Sequence, residues 1–244
     1  MRSRKSTAKS LGEMMDALND AVFPEYADRD PNLAPERILK ALSTLAGEEV
    51  AQAFIAAIPE IKRLLATDVA AIEANDPAAS DQKEVVFCYP AVKAILYYRA
   101  AHVLLGLKVP VLPRMLTEYA HSVTGIDIHP GAQIDEYFAI DHGTGTVIGE
   151  TAIIGKHVTL YQGVTLGAKN FVYDETGRPR DIPRHPIIED NVTVYSNASL
   201  LGRITIGEGS IIGGNVWLTH SVPPRSRILQ GRYREAYFKD GEGI

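Results

Sequence analysis

The sequence predicts a mixed protein: an α-helical N-terminal domain over residues 1–125, a parallel β-helix over 126–222 with a loop extruded at 167–187, and a C-terminal segment and flexible tail over 223–244. The first observation behind this is a period. Between Ile126 and Val222 an aliphatic residue returns every six positions, at Ile128, Ile134 and Ile140, then after a two-residue slip at Ile148, Ile154, Leu160 and Leu166. The same register resumes at Ile188, Val194, Leu200, Ile206, Ile212 and Leu218. Small or β-branched residues follow four places later, as at Ala132, Ala152, Val158, Val164, Val192 and Ala198, with Phe138 the bulky exception. A period of six fits neither a helix nor an alternating strand. It fits a solenoid of hexapeptide repeats in which each repeat forms one side of a triangular coil and the leading residues stack inside. A β-sandwich would instead place turns at a spacing of roughly 8–12 residues. The second observation is that the chain before the repeat carries apolar residues at helical spacing, bounded by Pro and Gly signals.

The helices are expected in order. Leu11, Met14, Met15, Leu18 and Val22 mark an amphipathic helix from about Ser10 to Val22, which ends in a Pro-rich, charged gap from Pro24 to Asn32. Pro35 suits a first helical turn, and segments Pro35–Leu45, Glu48–Ala57 and Pro59–Ala74 follow. The last stops at Asn75-Asp76-Pro77, because Pro77 disfavours helix for Asp76. Pro90 opens a helix that ends at Gly106, and Pro113–Val123 forms another that ends at Thr124-Gly125. Met and aromatic residues in these segments are read as core. After Val222, Pro223-Pro224 breaks the repeat, and a final strand or helix is expected within Arg225–Phe238.

Composition bounds the function. With 45% hydrophobic residues among 244 the chain can bury a substantial core, and a net charge of -5 offers no basic footprint for nucleic acid. Arg2, Arg4 and Lys5 precede no apolar stretch of the kind a signal peptide needs, and no run approaches the ~18 apolar residues of a membrane span. A cytoplasmic location without membrane or nucleic-acid partners is expected. A single cysteine, Cys88, excludes an internal disulfide and a cysteine-rich zinc site. Lying among Val86, Phe87 and Tyr89, it is expected to be a buried structural thiol.

Chemistry concentrates where the period fails. The slip holds Asp141-His142-Gly143-Thr144-Gly145-Thr146, and the interruption at 167–187 is a polar loop ending in Arg184-His185. Loops on a rigid scaffold are where sites gather. The candidates are Asp127, His129, Asp141, His142, His157, Arg184 and His185, with Asp76 at the helical boundary. One reading makes His142 a general base whose ring is oriented by an aspartate. Another gathers three of His129, His142, His157 and His185 around zinc, although no closely spaced histidine pair supports it. Spacing alone leaves both open.

Four runs decide between them. Thr-Gly-Ile-Asp-Ile-His-Pro at 124–130, Ile-Asp-His-Gly-Thr-Gly-Thr-Val-Ile-Gly-Glu-Thr-Ala at 140–152, Tyr-Gln-Gly-Val-Thr-Leu-Gly at 161–167 and Arg-His-Pro at 184–186 together resemble serine O-acetyltransferase. The likeness is strong over the repeat and weaker over the helical part. It implies that the β-helix is left-handed and that acetyl passes from acetyl-CoA, as co-substrate, to the L-serine hydroxyl in cysteine biosynthesis. It puts the catalytic base on His142 and its partner on Asp127. It assigns the substrate ammonium to Asp76 and Asp141, and the substrate carboxylate to Arg184 with His185 beside it. The pantetheine arm would run along the β-helix flank past Gly167, Ala168, Ser196 and Gly214, where small residues allow close approach. An amide N–H of the Gly167 region would steady the oxyanion. No metal is expected.

The resemblance further implies a homotrimer or a dimer of trimers with sites between subunits, and inhibition by L-cysteine at the serine site. It also implies a C-terminal Ile244 that enters O-acetylserine sulfhydrylase. Two departures bear on substrate-loop closure and on the adenine end of the coenzyme. The loop 168–184 stands where the family has a shorter Gly-rich one, and Ile-Leu-Gln-Gly-Arg-Tyr at 228–233 replaces the usual Gly-x-Pro-Ala. The alternatives are a hexapeptide acetyltransferase for another small hydroxy- or amino-acceptor, a β-helical zinc lyase, or a non-catalytic scaffold.

Overall fold

A computed structural model describes residues 4–170, 172–178 and 180–231. The Ile244 tail therefore lies outside the described residues, as do positions 232–238 of the segment in which a last element was expected; its described part, 225–231, holds a short strand at Arg227–Ile228. The N-terminal part contains helices α1 (Arg4–Val22), α2 (Ala34–Ala46), α3 (Glu48–Asn75), α4 (Gln82–Cys88), α5 (Pro90–Gly106) and α6 (Leu112–Thr124). Short 3-10 turns at Pro24–Tyr26 and Pro31–Leu33 fill the Pro-rich gap.

Two of the expected helices are one. Pro59 lies inside α3 and is exposed, while Ala51, Phe54, Ile58, Ile61, Leu65, Val69 and Ile72 keep a continuous buried stripe past it. The packing of that stripe outweighs the hydrogen bond that a proline cannot donate. The short helix α4 was not anticipated. The Asp81 carboxylate caps it by accepting from the Glu84 N–H at 2.8 Å, and only Val85 of its seven residues is buried. Cys88, at its outward-facing last position, is exposed, which corrects the buried thiol expected from its apolar neighbours.

Gly125, in the left-handed region, closes α6, and the chain enters the β-helix. Its strands are β1 (Asp127–Ile128), β2 (Gln133–Ile134), β3 (Ala139–Ile140), β4 (Val147–Ile148), β5 (Ile153–Ile154), β6 (Thr159–Leu160) and β7 (Thr165–Gly167). After the interruption come β8 (Ile187–Ile188), β9 (Thr193–Val194), β10 (Ser199–Leu201), β11 (Thr205–Ile206), β12 (Ile211–Ile212), β13 (Trp217–Leu218) and β14 (Arg227–Ile228). All pairings are parallel, and they form three sheets: β1-β4-β7-β10-β13, β2-β5-β8-β11 and β3-β6-β9-β12-β14. The leading residues of the repeat are the stacked ones. Ile128, Ile148, Leu166, Leu200 and Leu218 make one column, and Ile140, Leu160, Val194 and Ile212 another, all buried.

A solenoid leaves the backbone of its first coil without a neighbour, and α5 covers it. The Tyr98 hydroxyl donates to the Ala132 carbonyl at 2.7 Å, and Arg99 donates to the carbonyls of Ile134 and Asp135. Arg99 also makes a two-pronged ion pair with Asp68 of α3, at 2.6 and 2.8 Å, and both side chains are buried. Asp68 in turn accepts from the Phe138 N–H. Helices and first coil thus share one polar joint, and α3 runs on to the edge where β3 ends. Among the described residues, no helix is long and apolar enough to cross a membrane.

Candidate active site

The corner between the third and first sheets changes length along the prism. Upper coils turn it in four residues, at 161–164, 195–198 and 213–216, whereas the first coil uses six, Asp141 to Thr146. The Gly145 N–H still bonds the Gly125 carbonyl at 2.8 Å and the Thr144 carbonyl still accepts from Gly163, so the two extra residues are displaced outward. His142 sits on this bulge with φ at +55°, its side chain 70% exposed. Gly143 beside it has φ at +88°, and a Cβ there would lie 2.5 Å from Ile126 Cδ1, so only glycine allows the bulge to close against the core.

Asp141, three-quarters or more covered, holds one carboxylate oxygen 3.6 Å from His142 Nδ1. It lines a small cleft with Asn75, Asp76 and Ile72 from the end of α3. Asp76 is fixed there by its own backbone, whose N–H bonds Ile72 O at the helix end, and by two donors on its carboxylate. The Tyr89 hydroxyl reaches it at 2.5 Å and the Ala78 N–H at 2.8 Å. The Tyr89 bond, then the Ala78 N–H, hold the Asp76 carboxyl below its ordinary value, with His142 adding a smaller pull. The same bond, with burial and the charges of Asp76, Glu84 and Asp141, pushes the Tyr89 phenol up to about 12. Two carboxylates therefore line this narrow cleft and the His142 imidazole stands outside it beside Asp141, an arrangement that favours a cationic group near the acids.

Asp127, on β1, follows directly on the Gly125-Ile126 pair against which the bulge closes. Its carboxylate groups with Glu118 and His121 of α6, and it makes no hydrogen bond to His142 among the described residues. Arg184 and His185 lie at a different corner, between the first and second sheets. The Arg184 N–H and the His185 N–H both donate to Thr151 Oγ1, at 2.9 and 3.1 Å, and the Arg184 guanidinium pairs closely with Glu150. His185 Nδ1 accepts from the Thr151 N–H at 3.0 Å, and its ring covers Gly149, where a Cβ would come within 2.0 Å of it. Burial, with the Arg184 charge added, lowers His185 from 6.5 to about 4, so its ring is neutral. No hydrogen bond or ion pair joins this corner to Asp141 and His142 among the described residues. Within one chain the stacking of coils keeps the two corners on different edges of the prism.

Ser196 and Gly214 stand on the same edge as His142, one and two coils beyond the Tyr161 coil, with the Asn215 N–H bonded to the Ser196 carbonyl at 2.9 Å. A Cβ on Gly214 would meet that carbonyl at 3.2 Å. Stacked Tyr161 and Tyr195 rings, 4.9 Å between centroids, continue the column above Asp141. Gly167 ends β7, with Ala168 next to it at the start of the loop; the Gly167 carbonyl accepts from the Gly202 N–H. The zinc arrangement does not form among the described residues: His129 Nδ1 accepts from the Gly131 N–H, His157 stacks on Tyr137, and His185 is held by Thr151.

Sequence reading did not single out Tyr89 or Glu150. Only its place directly before Pro90, the expected helix start, marks Tyr89, and Glu150 sits inside a quoted motif without a charge partner in sequence. Each is found through a contact that only folding makes.

A family model described as bacterial transferase hexapeptide (six repeats) matches residues 185–220. A "Serine acetyltransferase, plasmid" from Synechococcus elongatus is 51% identical over 96% of this chain and 74% of its own length. The chain belongs to the serine acetyltransferase family. It is an acyltransferase with the left-handed β-helix of that family. Among solved serine acetyltransferases, isoform 3 from Entamoeba histolytica in complex with cysteine matches with a TM-score of 0.80, at 32% identity over 93% of this chain and 84% of that one. The enzyme from Brucella abortus in complex with coenzyme A matches with 0.69, at 26% identity over 91% and 79%.

Proposed function

We propose that the protein transfers acetyl from acetyl-CoA to the hydroxyl of L-serine, giving O-acetyl-L-serine and CoA for cysteine biosynthesis. The observation that carries this is that Asp76 and Asp141 line one cleft and the exposed His142 imidazole stands beside Asp141: an imidazole next to paired carboxylates suits an acceptor with a hydroxyl next to an ammonium. His142, exposed and within reach of a ligand, takes the hydroxyl proton as general base. Asp127 is the aspartate that orients its ring. Asp76 and Asp141 hold the ammonium. Arg184 meets the carboxylate by the fork geometry that favours guanidinium–carboxylate pairs, and neutral His185 donates or accepts beside it.

Acetyl-CoA supplies the acetyl group as a thioester. Gly167, Ala168, Ser196 and Gly214 hold its pantetheine arm, a reading supported by the small side chains and, at Gly214, by a backbone so close that a Cβ would meet the Ser196 carbonyl at 3.2 Å. Because Arg184 and His142 occupy different corners, a complete site needs a second copy, which supports a homotrimer or a dimer of trimers. The 71% exposed Trp217 and the exposed Tyr195 and Ile211 on the coils are further apolar surface for such a partner. The Ile244 tail, by its resemblance, docks into O-acetylserine sulfhydrylase, and the chain works in the cytoplasm. An acceptor panel followed by release of free CoA thiol tests the assignment. L-serine is expected to give the highest kcat/KM; a better rate with an acceptor lacking the ammonium would replace it.

A further inference from the structure

Tyr89 has no part in the chemistry described so far, yet its backbone is held from both sides. Its N–H closes α4 by bonding the Val85 carbonyl at 3.2 Å, and its carbonyl opens α5 by accepting from the Val92 N–H at 3.2 Å. Its backbone is extended, with φ at -86° and ψ at 119°, as the following Pro90 requires. Two helix ends and a proline thus aim one phenol, and what it meets is Oδ2 of Asp76, at 2.5 Å. The whole of α4 lies between these partners, anchored by the Asp81 cap and the Ser80 N–H bond to Glu84.

We infer that Tyr89 is a positioning residue for the acceptor ammonium, locking the Asp76 carboxylate into the cleft it shares with Asp141, beside His142. This rests on the reading of Asp76 as an ammonium-binding group. Asp76 stands at the end of α3 just before Pro77, where its N–H is held by the Ile72 carbonyl but a carboxylate left to itself would be free to rotate. A hydrogen bond to a charged acceptor is stronger than a neutral one, and here the two carboxylate oxygens each receive one donor, from Tyr89 and from Ala78. Lastly, Asp76 must face a second carboxylate before any cation arrives. A neutral donor on its far side offsets part of that repulsion without adding a positive charge that would compete with the ammonium. Because Asp76, Glu84 and Asp141 keep the phenol protonated, Tyr89 stays a donor across the working pH range.

The test is Tyr89→Phe, which removes one hydroxyl and leaves the ring, assayed with L-serine and with 3-hydroxypropionate, a hydroxy acid that lacks the ammonium. KM for L-serine is expected to rise on the order of tenfold, the size of one charge-assisted bond, with kcat and KM for acetyl-CoA changed less than about twofold. The preference for L-serine over 3-hydroxypropionate falls by the same factor, which a general loosening of the fold would not produce. An unchanged KM for L-serine, or equal losses with both acceptors, overturns the inference. Asp76→Asn is run alongside: if it too leaves the L-serine KM unchanged, the ammonium reading of Asp76 fails first; if it raises KM and Tyr89→Phe does not, only the role of Tyr89 fails.

Discussion

His142 projects from the prism because two additional residues lengthen one corner, and the backbone there needs glycine at Gly143 to close over Ile126. Gly149 is the equivalent constraint at the other corner, since any side chain would enter the His185 ring. Gly149→Ala is expected to destabilise the protein by about 1–3 kcal/mol, the usual cost of overpacking, and to displace His185; a urea titration reads the first and KM for L-serine the second. His185 also carries a pH signature. Its folded value of about 4 lies below the ordinary 6.5, so between these pH values the unfolded chain binds a proton that the folded chain refuses. Its contribution to stability is complete above pH 6.5 and is lost as pH falls toward 4. His185→Gln is expected to reduce the drop in urea midpoint between pH 7 and 4.5. The sequence placed His142 and Asp141 at a break in a regular pattern, so they were legible. Tyr89 and Glu150 were not, because their partners Asp76 and Arg184 lie 13 and 34 residues away and meet them only through the fold.

At the scale of elements, the six-residue period predicted which side chains stack, since a parallel coil repeats the same face at each turn and the register follows from counting. Helix ends were less legible. Pro59 reads as a break, but local signals yield to a buried stripe that continues on both sides of it. Replacing this exposed proline with alanine is expected to stabilise the protein by about 1–2 kcal/mol, the helical gain being offset in part by a more flexible unfolded chain. The helical and coiled parts meet in the Arg99–Asp68 pair, which no local pattern announces because its members are 31 residues apart. Burial raises the Asp68 carboxyl against the opposing pull of Arg99. Arg99→Met leaves that acid buried without its partner and the carbonyls of Ile134 and Asp135 without their donor. A loss of about 3–5 kcal/mol in chemical unfolding is expected, larger than the loss for the double variant with Asp68 also made apolar.

Taken as a whole molecule, one chain places the proposed base with its acidic cleft on one edge and Arg184 with His185, the proposed carboxylate site, on another. A closed ring of copies brings unlike edges together, whereas an isolated prism cannot. Two inactive variants, His142→Ala and Arg184→Ala, are therefore expected to restore activity when co-assembled, to about a quarter of wild type for random mixing in a cyclic trimer. Variants that share one edge, His142→Ala with Asp141→Ala, are expected not to. The central claim, that this cleft deprotonates the hydroxyl of L-serine for acetyl transfer, is tested most directly by CoA thiol release from acetyl-CoA at saturating L-serine, in the wild type and in His142→Ala. Serine-dependent release in the wild type, reduced by about 10²–10⁴ in the variant, is the expected result; release that does not depend on L-serine, or that persists undiminished without the imidazole, would contradict it.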